Sequence, residues 1–150
     1  MKKYLKNIKN MSLDEKTSWI IDKVPHILSD MENNINIDIS DVNEVVDNDG
    51  DTICILENEY CGNQAAKKAI ESATNLLNTD IELLKSTNGI LVVLMISPHY
   101  IFKGDDPLDE IYTYVPYESV IIVGRSTNYT FSENYVKATI VFVGFNYMVI

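Results

Sequence analysis

The stretch NIDISDVNEVV, Asn36 to Val46, places three acceptor side chains, Asn36, Asp38 and Asp41, at the start of a short apolar helical pattern. Oxygen acceptors at these offsets can cap a helix by satisfying its orphan N–H groups, with Asp41 or Ser40 as the expected N-cap. Asn36 and Asp38 can also bond the loop to itself. The same three groups can orient a water molecule or a metal ion. The residues alone leave these roles open, and they are compatible with one another.

Upstream, Ser12-Leu-Asp-Glu15 has the capping-box pattern. Trp19, Ile20, Val24, Ile27, Leu28 and Met31 follow it at helical spacing. Pro25 removes a backbone donor from that helix, which predicts a kink or two shorter pieces. MENN, ending at Asn34, then closes it. The first eleven residues interleave Lys2, Lys3, Lys6 and Lys9 with Tyr4, Leu5, Ile8 and Met11. This arm is expected either to fray or to form a short amphipathic helix on an anionic membrane or on the chain's own acidic face.

Downstream, DNDGD reads as a turn and DTICILENE as a strand through Ile53 and Ile55. Asn63 to Leu77 reads as a helix whose Ala65, Ala66, Ala69, Ile70, Ala73 and Leu76 make a small-residue face. Gly89 precedes the buried strand ILVVLMIS, and Asp106 to Tyr114 reads as a helix with Pro107 at its first position. SVIIVGRS and YVKATIVFVGF are the last two strands, expected to pair as neighbours across the polar STNYTFSENY junction. The elements together predict a two-layer α/β domain in which helices cover one sheet.

The 150 residues suit a single domain, and 46% hydrophobic with 23% charged residues suits a soluble globular one. A formal net charge of −10 argues against a nucleic-acid partner, whose phosphates attract lysine and arginine. Eight of the acidic residues fall between Asp38 and Glu59 with no cation among them. That run reads as a solvated face or as a surface for a basic partner. Cys54 and Cys61 are too few for a disulfide scaffold, and no apolar segment follows the basic arm, so a reducing cytoplasm is expected. The longest apolar run, Ile90 to Ile96, is far short of the roughly 18 residues of a membrane span.

Chemical motifs are sparse. An EF-hand loop centred on Gly50 would need ligands at Val45 and Leu56, which are apolar. His26 and His99 have no companion at metal-ligand spacing, and nothing supports a Cys–His nucleophile pair. The six glycines are dispersed and make no loop that cradles phosphate. No metal or cofactor is expected.

Several segments in order resemble the C-terminal domain of FtsZ, the bacterial tubulin homologue, from about Ser12 to Phe145. NIDISDVNEVV is similar to the family's T7 loop and following helix, with the pattern Asn-x-Asp-x-x-Asp-Val. NQAAKKAIESATNLL resembles its Ala-rich helix, NGILVVLMIS the next strand, and SVIIVGRSTN and YVKATIVFVGF the final two. The chain departs from the family at Glu32-Asn33-Asn34, at Gln64 and at Pro25. The resemblance implies a mixed four-stranded sheet with helices on one side, forming one domain over residues 12–150 behind the arm of residues 1–11. Residues 12–31 would correspond to the end of the central helix and 32–42 to the T7 loop. No counterpart of the GTP-binding domain or of its Gly-rich loop is found in these residues.

In FtsZ-like filaments the T7 loop of one subunit reaches the nucleotide of its neighbour. By resemblance, Asn36, Asp38 and Asp41 fall on catalytic positions that act only in trans, where a carboxylate positions the attacking water. The function implied is a non-GTPase accessory module that binds or caps an FtsZ/tubulin-like GTP-binding partner, in cell division or cytoskeletal regulation. Two alternatives stay open: the catalytic half of a split GTPase, and a self-associating or small-ligand-binding α/β domain.

Overall fold

A computed structural model of the chain describes residues 2–28, 35–47, 50–77, 87–104, 109, 111–112, 115–116 and 118–145. It contains strands β1 (Lys2–Asn7), β2 (Thr52–Cys61), β3 (Gly89–Ile96), β4 (Val120–Thr127) and β5 (Tyr135–Phe145). The helices are α1 (Leu13–Lys23), α2 (Ile39–Val46) and α3 (Ala65–Leu77), with a 3₁₀ turn over Pro25–Ile27. The strands form one sheet in the order β1-β2-β5-β3-β4. β3 and β4 are parallel, and the other neighbours are antiparallel.

Alternation along the strands divides the core in two. Cys54, Leu56, Ile90, Val92, Leu94, Val136, Ala138, Ile140 and Phe142 pack with α3, where Ala65, Ala66, Ala69 and Ala73 let the helix approach closely. Ile53, Ile55, Leu91, Val93, Val141 and Val143 face the other way. They pack with Ile20 of α1, Ile27 of the 3₁₀ turn and Val42, Val45 and Val46 of α2.

The α/β class and the mixed sheet agree with the sequence reading, and three details differ. The sheet has five strands rather than four, because the expected N-terminal arm forms β1. Lys2–Asn7 pair with Glu57–Thr52, half-burying Tyr4, and Ile8 just beyond the strand is buried. Extended pairing satisfies the backbone groups that β1 turns towards β2, which a frayed end would leave to water. Helices lie on both faces of the sheet, not on one, since both rows of β2, β3 and β5 are apolar. β4 and β5 are not neighbours: β3 lies between them. β5, buried on both faces over Val136 to Val143 apart from Lys137, takes the centre, whereas the half-buried β4 takes an edge.

Pro25 splits the N-terminal helix as expected. α1 ends at Lys23 and Pro25 opens the 3₁₀ turn. The Ser12–Glu15 capping box forms in both directions, at 3.2 Å each way. Most of the helix predicted over 106–114, including Pro107, lies outside the described residues, as do Met31, Glu32-Asn33-Asn34 and the side chain of Leu76; Asp109, Ile111 and Tyr112 are helical.

Candidate functional site

The loop that carries Asn36, Asp38 and Asp41 is held at three points. Ile35 forms an isolated antiparallel bridge with Arg125 on the edge strand β4, with N–H···O distances of 3.0 and 2.9 Å. Ile37 is buried against Gly124, where a Cβ would lie 2.4 Å from the Ile37 side chain. Gly124 therefore makes the socket that seats the loop on the sheet. α2 is in turn tied to α1 by a hydrogen bond from Thr17 Oγ1 to Asn43 Oδ1, 2.6 Å long.

The third point is a capping box. The helix begins two residues earlier than the sequence suggested, and its N-cap is Asp38, not Asp41 or Ser40. Asp38 Oδ1 accepts from the Asp41 N–H and Asp41 Oδ2 accepts from the Asp38 N–H, both at 3.0 Å. Each carboxylate thus commits one oxygen to the helix start, and the positive end of the helix favours its charge. Asn36 and Asp38 are exposed and Asp41 is half-buried. The structure brings all three residues to one short surface segment, flanked by Ile35 and Ile39, each 54% exposed.

Asp38→Ala is expected to cost about 1 kcal/mol, lowering Tm by about 3 °C, and Asp38→Asn much less, because asparagine still caps. Thermal melts of both variants check this. Equal losses would show that charge rather than capping sets the effect.

A polar cluster not foreseen from the sequence lies on the same face of the sheet as α1 and α2. Glu57 of β2, 5% exposed, continues the Ile53 and Ile55 row beyond the helices. Its Oε1 lies 3.1 Å from His26 Nε2 of the 3₁₀ turn, 3.1 Å from Thr139 Oγ1 and 3.9 Å from Lys137 Nζ. Thr139 gives its proton to Glu57, so the 3.0 Å contact between His26 and Thr139 places the imidazole proton on Nε2. The His26 hydrogen bond, then the charge of Lys137, hold the Glu57 carboxyl below its ordinary range against the opposing effect of burial. The signal available in the sequence was the period-two alternation 53, 55, 57, which puts a carboxylate where an apolar residue is expected. Beside the cluster is a cleft of about 390 Å³ lined by His26, Leu28, Met95, Ser126, Thr127, Asn128 and Tyr129. Ser126 Oγ is buried there with no hydrogen-bond partner among the described residues.

Cys54 points to the opposite face, among the α3 core residues, and burial pushes its thiol up to about 12. It is neither placed nor ionised for a nucleophile pair with His26. Among the described residues no three histidine, cysteine or acidic side chains converge to hold a metal ion, and no helix is long and apolar enough to cross a membrane.

No family model matches the chain, and no curated protein matches it in sequence. Solved structures do. A tryptophan-to-tyrosine mutant of FtsZ from M. jannaschii aligns over 74% of this chain and 33% of its own, at 22% identity and a TM-score of 0.56. An empty FtsZ dimer from M. jannaschii aligns over 72% of this chain and 31% of its own, at 24% identity and a TM-score of 0.57. The chain spans about a third of the length of these FtsZ proteins, and its fold resembles that of the FtsZ C-terminal domain.

Proposed function

We propose that this protein is an FtsZ-like accessory module, not itself a GTPase, which binds or caps a GTP-binding FtsZ/tubulin-like partner in the cytoplasm, in cell division or cytoskeletal regulation. The supporting observation is the loop from Ile35 to Asp41, pinned to Gly124 and Arg125 and capped by its own carboxylates on an FtsZ-like fold. A preorganised loop loses little freedom on docking. Ile35 and Ile39 supply apolar contact beside the acceptors Asn36 and Asp38. Docked through this loop without offering a nucleotide face to the next subunit, the module would end a filament rather than extend it.

The test is titration into the FtsZ of the same organism with GTP, following light scattering and phosphate release together. Capping lowers scattering at substoichiometric amounts. Ile39→Glu is expected to weaken that effect at least tenfold, roughly 1.4 kcal/mol, while preserving the fold, since a carboxylate suits the first turn of α2. No change in scattering or phosphate release at a several-fold excess of the protein would overturn the reading. A rise in phosphate release that is lost in Asp41→Asn, which keeps the capping acceptor, would instead establish the split GTPase. A small-ligand reading is favoured by the cleft beside His26 with its unpartnered Ser126 hydroxyl. A ligand-induced rise in Tm that disappears in Ser126→Ala would support it.

A further inference from the structure

We infer that the open edge of β1 accepts an extended acidic peptide as a sixth strand of the sheet. Among the described residues β1 is an edge strand, with β2 its one neighbour. The phase of its hydrogen bonding follows from Ile8, whose N–H donates to Asp51 O at 2.8 Å, one step beyond the Asn7–Thr52 pair. Antiparallel alternation then turns the backbone groups of Lys2, Tyr4, Lys6 and Ile8 towards β2, and those of Lys3, Leu5 and Asn7 outwards. Three outward sets spaced two residues apart are the repeat that an added strand pairs with.

The side chains select the charge of that strand. Lys2 and Lys6 lie opposite Glu57 and Ile53 and so share the α1 face, while Lys3 lies opposite Leu56 on the α3 face. All three are exposed, and none makes an ion pair with a carboxylate among the described residues. In a chain of net charge −10, residues 1–13 hold four lysines and no acidic residue, so β1 is itself a cationic strand, with Glu57 and Glu59 sharing a cleft with Lys2, and Glu15 and Asp22 one with Lys6. A second β1 would crowd its own lysines alongside Lys2, Lys3 and Lys6, and that like-charge repulsion disfavours self-pairing. A membrane surface would meet lysines from one side only. Lysines on both sides of the sheet plane flank a strand that lies in that plane.

The probe is a fluorescently labelled eight-residue peptide alternating glutamate and valine, which sets glutamates against Lys2 and Lys6 and valines against Leu5, 43% exposed. Anisotropy titration is expected to show binding that weakens at least tenfold in the Lys2→Gln, Lys6→Gln double variant. Amide exchange at Lys3, Leu5 and Asn7 is expected to slow at least tenfold on saturation. A peptide N-methylated at every residue, which has no N–H to give along either edge, is expected not to bind. Unchanged amide exchange, or equal binding of the N-methylated peptide, would reduce the interaction to charge attraction and overturn strand addition. No binding, or binding only to phosphatidylserine vesicles, would overturn it as well and leave the lysines as guards against edge pairing.

Discussion

Alanine in place of Gly50 is expected to destabilise the protein by about 4 kcal/mol, the sum of overpacking and backbone strain. Gly50 has φ +136°, and a Cβ built on it lies 2.2 Å from Gly144 Cα and 2.3 Å from its carbonyl. Both sides of that contact are backbone, so no side chain can swing away. Gly144 itself sits at φ 92° in an irregularity of β5, where Thr52 pairs with Phe145 and Ile53 with Val143. The bulge therefore projects Gly144 against Gly50, just ahead of β2. Gly62→Ala is the control: φ is +115° but nothing lies within 4 Å of the new methyl, so only strain of about 1–2 kcal/mol is added. Urea denaturation of both variants measures the difference. Equal shifts in midpoint would mean that the Gly50–Gly144 approach contributes nothing.

Glu57→Ala is the second large effect, with an expected loss of about 3 kcal/mol at pH 7, at the low end for breaking a buried pair because Lys137 reaches water. The substitution removes the acceptor shared by His26, Thr139 and Lys137, leaving the His26–Thr139 contact and buried Ile27 to hold the 3₁₀ turn on the sheet. Glu57→Gln keeps an acceptor oxygen and is expected to lose about 1 kcal/mol. The loss depends on pH. The folded carboxyl titrates below its unfolded value, so its stabilisation is complete above the unfolded value and disappears as pH falls through the lower, folded one. The gap between wild type and Glu57→Ala should accordingly narrow below about pH 4. A gap that stays constant from pH 7 to pH 3 would show that the charge of Glu57 plays no part.

The Glu57 cluster and Gly124 anchor the segment that carries the loop on its two sides. His26 holds the 3₁₀ turn that follows α1, and Gly124 holds Ile37 at the far end of the same connection. If the proposed partner binding runs through Asn36, Asp38 and Ile39, a mild variant that loosens either anchor, such as Glu57→Gln, should weaken it before it lowers the melting temperature by much.

Local features of this protein were determined by the sequence itself. The Ser12–Glu15 box, the break at Pro25 and the small-residue face of α3 each depend on groups within about four residues of one another. Asn36, Asp38 and Asp41 were legible as a set for the same reason. Even there, the choice of Asp38 as cap waited on where the chain turns, and that is set by Ile35 and Ile37 meeting β4 some 90 residues downstream, at Arg125 and Gly124. The remaining features were decided only by the tertiary structure. Lys2–Asn7 carries too many lysines to announce a strand, and it becomes one because β2 offers an unpaired edge. Glu57 reads as a solvated acid until the His26 turn and Thr139 close over it. β5 sits between β2 and β3 because its two apolar faces need cover on both sides, whereas β4 tolerates an edge. Pairing, burial and strand order depend on which distant segments meet, and the hydrogen bonds and buried surface that decide this exist only once they have met.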